Sequence, residues 1–389
     1  MKRSDMQGDR GYLDKVKIFF AECFLLGLFI LFMRVEHIIG ILILIFGMGA
    51  CWYIYDKLEN VQISIREILK REKIFSMILT FVILVCVPIF LKDSVYLLNL
   101  CIWAGIYVML ATGLNYQIGS TNIVNLATAA SYGIGAYTSA LISVHTGISF
   151  WLVILIAGCA SGFMGFILGL PTLKTKDYYL TLVTLAFGLI VYLVLNNLEF
   201  TGGPNGIGDI PPPTIFGYSF RQDLHIFGMT LPYHVNFYYL VLFLASFYTL
   251  ISNRLYHSRV GLTWNAIRED EIAAKCVGIN TTNYKILSFV INCFLDGMTG
   301  AVYAHYVSFI SPENFQFFLS VVVVTMVILG GIDNVFGVVF GAVLLTLLPE
   351  KFRVFQDFRL MLYGVIVIAT LIFRPKGLFP QKLRKYAEG

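Results

Sequence analysis

Residues 150–170 read FWLVILIAGCASGFMGFILGL, a run of 21 residues without a charged side chain. About 20 apolar residues are enough for a helix to cross the hydrocarbon core of a bilayer. Such runs recur along the whole chain of 389 residues, of which 58% are hydrophobic and only 13% charged. Soluble domains carry roughly 25% charged residues. This composition excludes a soluble enzyme, a nucleic-acid binder and a disordered protein.

The fold class follows from the apolar runs, because only a helix satisfies all its backbone groups when a single segment crosses lipid. The sequence therefore predicts an all-α, polytopic membrane protein with roughly 10–12 transmembrane helices, some of them interrupted. The candidate spans are 16–33, 38–55, 74–91, 95–114, 123–144, 150–170, 178–197, 236–253, 286–309, 317–332, 335–349 and 360–373.

The basic residues predict the orientation, because lysine and arginine are enriched in cytoplasmic loops. They cluster before the first span, after the second, sixth and eighth, and at the end of the chain. All these clusters fall on one side if the spans alternate, so both termini are expected in the cytoplasm. Lys351, Arg353 and Arg359 would lie outside. Either that loop is an exception, or 317–332 or 335–349 does not fully cross.

Three regions are expected along the chain. Residues 1–73 form an N-terminal extension with two transmembrane helices and a basic cytoplasmic segment. Residues 74–380 form the transmembrane domain, with a long outer loop at 198–235 and a long cytoplasmic loop at 254–285. Residues 381–389 form a cytoplasmic tail.

The cysteines indicate no redox or metal chemistry. Seven are present, without a CxxC pair, and six fall within apolar runs, where cysteine behaves as a small hydrophobic residue. Neither a disulfide framework nor a zinc site is indicated. We expect no catalytic residues and no metal ligands.

The cytoplasmic loop contains a candidate amphipathic helix from Thr263 to Val277, with Thr263 as N-cap and Gly278 as the stop. One face at helical spacing carries Trp264, Ile267, Glu271, Ala274 and Val277. Such a helix could lie on the membrane surface or dock into a groove of a partner protein. The residues expected at a partner contact are Arg268, Glu269, Asp270, Glu271, Ala273, Ala274 and Gly278.

Two Gly- and Asn-rich breaks interrupt apolar runs, at 113–122 and at 330–337. Irregular backbone at membrane depth is tolerated where it lines a cavity or is buried in protein. A helix that begins there would direct its N-terminal amides at an anionic group such as a carboxylate. The alternative is an ordinary turn followed by small residues that pack helices. The candidate substrate-path residues are Asn115, Gly119, Asn122, Asn125, Gly330, Gly331 and Asn334.

The outer loop contains TGGPNGIGDIPPP. Its glycine, proline and asparagine residues favour tight turns, and Pro211 to Pro213 form a stiff, extended end. The phosphate-binding pattern GxxxxGK[ST] is absent from the chain. The loop is expected either to dock an extracytoplasmic partner or to serve as a plain connector. The candidate docking residues are Gly202, Gly203, Pro204, Asn205 and Gly206.

Two ionisable residues, Asp296 and His305, lie within one predicted span. Such residues are costly in lipid and are functional candidates. Asn292, four residues before Asp296, could satisfy that carboxyl along the helix. We expect His305, between Tyr303 and Tyr306, in the aromatic belt at the outer interface.

Several motifs in one order resemble the LivM-type permease of branched-chain amino acid ABC importers, from about residue 97 to 380. The segment EIAAKCVG at 271–278 is similar to the EAA loop by which such permeases engage their ATPases, with Ile272 inserted. Three positions depart from the family: Leu189 where it often has an acidic residue, Asn122 where it has glycine, and Asp296 where it has a small apolar residue. The further matches are GLNYQIGSTNIVNLATAASYGIGAYTSAL, LPTLKTKDYYLTLVTLAFGLIVYLVLNN, TGGPNGIGDIPPPTIFG, GLTWNAIREDEIAAKCVGIN, YAHYVSFISPENF, VILGGIDNVFGVVFGA and FRPKGLFP.

The resemblance implies a non-enzymatic pore subunit of the bacterial inner membrane that moves leucine, isoleucine and valine. The implied partners are a second, LivH-type permease subunit, two ABC ATPases that hold ATP and magnesium, and an extracytoplasmic binding protein. This chain would bind no cofactor and no nucleic acid. The alternatives are a urea or short-amide ABC permease and, from another class, an ion-coupled secondary transporter.

Overall fold

The computed structural model describes residues 2–35, 71–173, 177–226, 228–351 and 377–379, together with isolated positions between 40 and 68 and between 361 and 372. Apart from those positions, the predicted spans 38–55 and 360–373 and the tail 381–389 lie outside the described residues, as do the basic residues Lys57, Arg66, Lys70, Arg353 and Arg359. One compact unit comprises the described residues up to Leu98, and a second begins at Asn99.

The first unit contains two long helices, α1 (Lys2–Arg34) and α2 (Lys73–Leu91). Two ion pairs connect them, Lys15 with Glu72 and Asp14 with Arg71, each with the charged atoms 3.8 Å apart. Further along the pair, the Ser76 hydroxyl donates to the Glu22 carboxylate at 2.7 Å. Polar contacts therefore fix the register of the two helices.

The described residues after α2 are also largely helical. In order along the chain, its helices are α3 (Val95–Thr121), α4 (Thr128–Thr146), α5 (Phe150–Gly169), α6 (Asp177–Asn197), α7 (His234–Tyr256), α8 (Arg259–Glu269), α9 (Glu271–Cys276), α10 (Thr281–Val307), α11 (Phe317–Gly330) and α12 (Val335–Lys351).

Eight helices among the described residues are long and apolar enough to cross a membrane, which confirms the all-α, multi-pass prediction for this part of the chain. Pro312–Gly330 is one of the eight, because a 3₁₀ turn at Pro312–Phe315 extends α11. By contrast, the apolar helix Val335–Glu350 is shorter.

The centre of the bundle is formed by α4, α5 and α10, which approach closely through glycine. A Cβ atom at Gly165 would lie 2.7 Å from the Phe289 carbonyl oxygen on α10. One at Gly300 would lie 2.7 Å from the Ala136 amide nitrogen on α4. Small residues allow helices to pack backbone against backbone in lipid. The small-residue character of these segments is therefore used for packing.

The outer loop adds two small antiparallel hairpins that the sequence did not predict. In the first, β1 (Thr214–Ile215) pairs with β2 (Tyr218–Ser219), and Thr214 is opposite Ser219. In the second, β3 (Leu224–Ile226) pairs with β4 (Met229–Leu231), and Leu224 is opposite Leu231.

The predicted interruption at 113–122 is wrong in position. α3 is a continuous helix through Thr121, and the irregular segment is 122–127. Gly113 and Gly119 lie within the helix, and their missing side chains leave space for Asn292 and Asp333. Asn122, with a φ of 56°, leaves the helix in the left-handed conformation that asparagine tolerates. The second predicted break is confirmed, since residues 331–334 separate α11 from α12.

Candidate functional site

The loop at 254–285 forms two short helices, not the single predicted helix from Thr263 to Val277. The Ser258 hydroxyl caps α8, accepting from the Gly261 amide at 3.3 Å. The carboxylate of Asp270 caps α9, accepting from the Ile272 amide at 2.8 Å. Aspartate is among the strongest N-cap residues, so the helix breaks there. Gly278, with a φ of 85°, follows the end of α9 as predicted.

Trp264 connects the loop to the membrane bundle. Its indole is fully buried, and its N–H donates to the Tyr284 carbonyl oxygen at 2.8 Å. The ring stacks on Tyr116 of α3, with the ring centroids 5.5 Å apart and the planes 13° from parallel. Trp264, Ile267 and Ala274 of the predicted apolar face are buried, but within this chain and not on a membrane surface or in a partner as expected, and Val277 is exposed.

Arg268 makes the second connection, and it is internal. Its guanidinium forms an ion pair with Asp333 in the turn between α11 and α12, and it donates to the Gly119 carbonyl oxygen on α3. The Ser120 hydroxyl also donates to the Asp333 carboxylate, at 3.2 Å, and the Asp333 amide donates to the Asn115 side-chain oxygen at 3.1 Å. Residues of α3 and α8 thus converge on the Asp333 carboxylate, which lies in a third segment of the chain.

The acidic residues of the loop divide into internal and exposed ones. Glu271 accepts from Lys285 at 2.8 Å, from Lys275 at 3.1 Å and from Thr281 at 3.1 Å. Burial raises the pKa of Glu271, but the lysine hydrogen bonds outweigh burial and lower it to about 2. Glu269 remains exposed. Of the residues expected at a partner contact, Arg268 and Glu271 are instead occupied within this chain.

The turn at 331–334 is held by residues 377–379. The amides of Leu378 and Phe379 donate to the carbonyl oxygens of Leu329 and Gly330, at 2.9 and 3.2 Å. Asn334 donates to the Phe379 carbonyl oxygen at 2.9 Å and caps α12 by accepting from Gly337. The last carbonyl groups of α11 are therefore satisfied by a distant segment, and Gly331 occupies the left-handed region there.

The first irregular segment, 122–127, is also held by hydrogen bonds. Asn125 donates to the Gln117 side chain at 3.2 Å and accepts from the Ala127 amide at 2.9 Å. The Ser320 hydroxyl accepts from the Ala129 amide at 2.9 Å. The start of α4 therefore directs the Ala129 amide at a serine of α11 in this conformation. A substrate-path role for the seven candidate residues stays a prediction, although Asn115, Gly119, Gly330, Gly331 and Asn334 lie around the Asp333 turn.

The outer glycine-rich turn is mostly internal. Gly202, Gly203 and Gly206 have positive φ angles, and a Cβ at Gly206 would approach the Ile310 backbone. Only Pro204 and Asn205 of the predicted docking residues are exposed. The most exposed apolar side chain of the loop is that of Phe216, at the tip of the first hairpin. Sequence reasoning missed it because the hairpin was not predicted.

The two candidate ionisable residues of α10, Asp296 and His305, are buried. Asn292 donates to the Asp296 carboxylate at 3.3 Å, as predicted. The belt position predicted for His305 is wrong, because its ring is 1% exposed. One ring nitrogen lies 2.8 Å from the Ser139 hydroxyl, and the other lies 2.5 Å from the Pro211 carbonyl oxygen. His305 thus connects Pro211 of the outer loop to Ser139 of α4.

Four residues of this site were not predicted from the sequence, because their importance lies in contacts that form only in the folded chain. Asp333, Ser120, Tyr116 and Lys285 complete the contacts of the loop. Asp333 carried a signal, being an acidic residue between two long apolar runs. Within the described residues, no group of three or more histidine, cysteine or acidic side chains could hold a metal ion.

Comparison with known proteins gives one consistent result. The model of a family described as "Branched-chain amino acid transport system / permease component" matches residues 96–373. The high-affinity branched-chain amino acid transport system permease proteins LivM of Salmonella typhimurium and Escherichia coli are 39% and 38% identical, each over 71% of this chain and 68% of its own length. The LivH protein of Escherichia coli is 24% identical over 69% of this chain and 92% of its own. No solved structure matches the chain.

Proposed function

Since the chain belongs to the family of branched-chain amino acid transport permease components, we propose that it is a membrane subunit of an ATP-driven importer for leucine, isoleucine and valine. The description of the family and the names of the LivM relatives favour these substrates over urea or a short amide. They also favour a permease over an ion-coupled secondary transporter. The chain is a multi-pass membrane protein.

The observation that carries the proposal is the connection between the loop at 254–285 and the bundle. Trp264 is stacked on α3, and Arg268 is bound to both α3 and the turn after α11. Buried side chains and a partly buried ion pair transmit force, because displacing either partner leaves a cavity or an unpaired charge. A displacement of α8 would therefore act on the ends of two membrane helices.

The exposed face of the loop supports docking of a partner ATPase. Ile272 and Val277 are 75% and 77% exposed, although both are large apolar residues in a charged segment. Glu269 and Lys275 lie near them and are also exposed. A helix with apolar anchors and a charged rim suits a groove in a partner protein. In this proposal, ATP and magnesium are held by that partner, and ATP binding there moves α8 and α9.

The remaining partners belong to the same proposal. An extracytoplasmic binding protein would dock at the outer loop, with Phe216 as an apolar anchor, because large exposed aromatics commonly anchor interfaces. Similarity to both LivM and LivH proteins supports a pore formed with a second, LivH-type permease. The inner membrane of a bacterium, with both termini in the cytoplasm, accounts for the basic clusters of the sequence.

The test is uptake by proteoliposomes that contain this chain, the second permease and the ATPases, supplied with the binding protein. We expect uptake of labelled leucine that requires ATP on the loop side, and little uptake of urea. Ile272→Asp should abolish co-purification of the ATPase, whereas Asp93→Asn, at an exposed turn outside the loop, should not. Leucine uptake that persists without ATP and is driven by an ion gradient would contradict the proposal.

A further inference from the structure

Halfway along α10, two polar side chains are fully buried and incompletely hydrogen-bonded. Asn292 and Asp296 are both 0% exposed. Oδ2 of Asp296 accepts from the Asn292 amide group at 3.3 Å, whereas Oδ1 of Asp296 and Oδ1 of Asn292 have no hydrogen-bond partner. Buried acceptors without donors are rare in folded proteins, because each costs the hydration that it has lost.

The two unpartnered oxygens face the same place on α3. An ideal Cβ at Gly113 would lie 3.2 Å from Oδ1 of Asn292 and 3.6 Å from Oδ1 of Asp296. Glycine therefore keeps α3 from covering both acceptors with a side chain. One turn further along α3, the hydroxyl of Tyr116 is also buried and without a partner. Residues three apart on a helix are neighbours, so Tyr116 lies beside Gly113, which faces Asn292 and Asp296.

The chemistry of this group points to a cationic donor. No lysine, arginine or histidine of the described residues forms an ion pair with Asp296, although an unpaired buried carboxylate is strongly unfavourable. No cluster suited to a metal ion occurs in the same part of the chain. A primary ammonium group carries one positive charge and three N–H donors, which matches one carboxylate and two further unpartnered oxygens.

We propose that Asp296, Asn292 and Tyr116 bind the ammonium group of the amino acid during its passage through the bundle. This inference rests on the proposed function, because it takes the transported amino acid as the ligand. Tyr116 also stacks on Trp264 of the loop, so a displacement of α8 reaches this site directly. The site would accept substrate when the helices separate at Gly113 and release it when they close.

The first experiment measures ligand-dependent melting temperatures of the full complex in detergent, without the binding protein. The probes are L-leucine, 3-methylbutylamine, which lacks the carboxylate, 4-methylpentanoate, which lacks the amine, and sodium chloride. Leucine and 3-methylbutylamine should raise the melting temperature, and 4-methylpentanoate should not. Asp296→Asn should remove this increase, whereas Asp93→Asn, the same change at an exposed turn, should retain it.

Three results would overturn the inference. In the first, leucine raises the melting temperature of Asp296→Asn as much as that of the wild type. In the second, none of the probes raises the melting temperature of the wild type. In the third, sodium chloride alone raises the melting temperature of the wild type and not that of Asp296→Asn. The last result would assign the oxygens to a metal cation. Because Asp296→Asn is nearly isosteric, assembly of the complex with the ATPases serves as the check that the variant folds.

A transport measurement separates this inference from the proposed function. In proteoliposomes, Asp296→Asn should lower ATP-driven leucine uptake by about tenfold or more, the effect of losing one charged hydrogen-bond partner in a buried site. Equal leucine uptake by the wild type and Asp296→Asn would refute the ammonium site but not the proposed importer function. A wild-type complex that imports no leucine at all would overturn the proposed function itself.

Discussion

Removal of the Arg268 guanidinium should destabilise the protein through the carboxylate that it leaves behind. Asp333 is 7% exposed, and the Arg268 side chain is 28% exposed, so the pair is buried on one side only. Breaking a fully buried ion pair costs about 3–5 kcal/mol, and the exposure of Arg268 places this pair at or below the lower end. We expect Arg268→Ala to lower the free energy of unfolding by about 2–3 kcal/mol.

Protonation sets an upper bound on the part of that loss that comes from the unpaired carboxylate. Burial raises the pKa of Asp333, and Arg268 and Ser120 lower it only in part. Without Arg268, the carboxyl can take up a proton, which from an ordinary pKa of about 3.9 costs about 4 kcal/mol at pH 7. At pH 5 the same bound is about 1.5 kcal/mol. The destabilisation by Arg268→Ala should therefore shrink as the pH falls from 7 to 5.

The assay is SDS-induced unfolding of the purified chain in mixed micelles, at pH 7 and pH 5. Arg259→Ala is the matched control, because Arg259 is exposed in the first turn of the same helix. The double variant Arg268→Ala/Asp333→Asn should recover most of the loss, since asparagine carries no charge and tolerates the φ of 69°. Equal losses for Arg268→Ala and Arg259→Ala, or no recovery in the double variant, would refute the reasoning.

Three further predictions concern the loop and the outer hairpin. Trp264→Ala should lower the free energy of unfolding by about 3–5 kcal/mol by opening a cavity beside Tyr116, and Trp264→Phe by less, as the same unfolding assay will show. Folded-state stabilisation by Glu271 should be complete above pH 4.5 and lost as the pH falls toward 2, because its pKa is depressed on folding; amide protection in α9 should fall over this range in the wild type and not in Glu271→Gln. Phe216→Ser should weaken docking of the binding protein in a titration without changing the melting temperature, whereas Gly206→Ala should lower that temperature; the reverse pattern would contradict both assignments.

The sequence was sufficient for features that depend on local composition. Apolar length predicted eight of the spans found among the described residues, whereas the predicted spans 123–144 and 335–349 are not among the helices long and apolar enough to cross. The small-residue segments predicted close helix packing. The turn between α11 and α12 followed from its glycines. In each case the signal lies within about 20 consecutive residues, so no knowledge of distant contacts is required.

Features that depend on distant residues could not be read in the same way. Gly119 suggested a break, yet it lies within a helix because Asp333, more than 200 residues later, occupies the space of its missing side chain. His305 was expected at the membrane interface. Its partners Ser139 and Pro211 are far away in sequence, so its burial could not be predicted. The helical spacing of apolar residues predicted one helix from Thr263 to Val277. The helix is interrupted at Asp270, because the N-cap hydrogen bond of its carboxylate outweighs the continuous apolar face.

The central claim is that ATP acts on the transport path through the contacts of Trp264 and Arg268. The most direct test is the number of leucine molecules imported per ATP hydrolysed by proteoliposomes with the full complex. For Arg268→Ala, this ratio should fall several-fold while the ATPase remains bound and active, and for Arg259→Ala it should equal that of the wild type. An unchanged ratio in Arg268→Ala, with the complex assembled, would contradict the account.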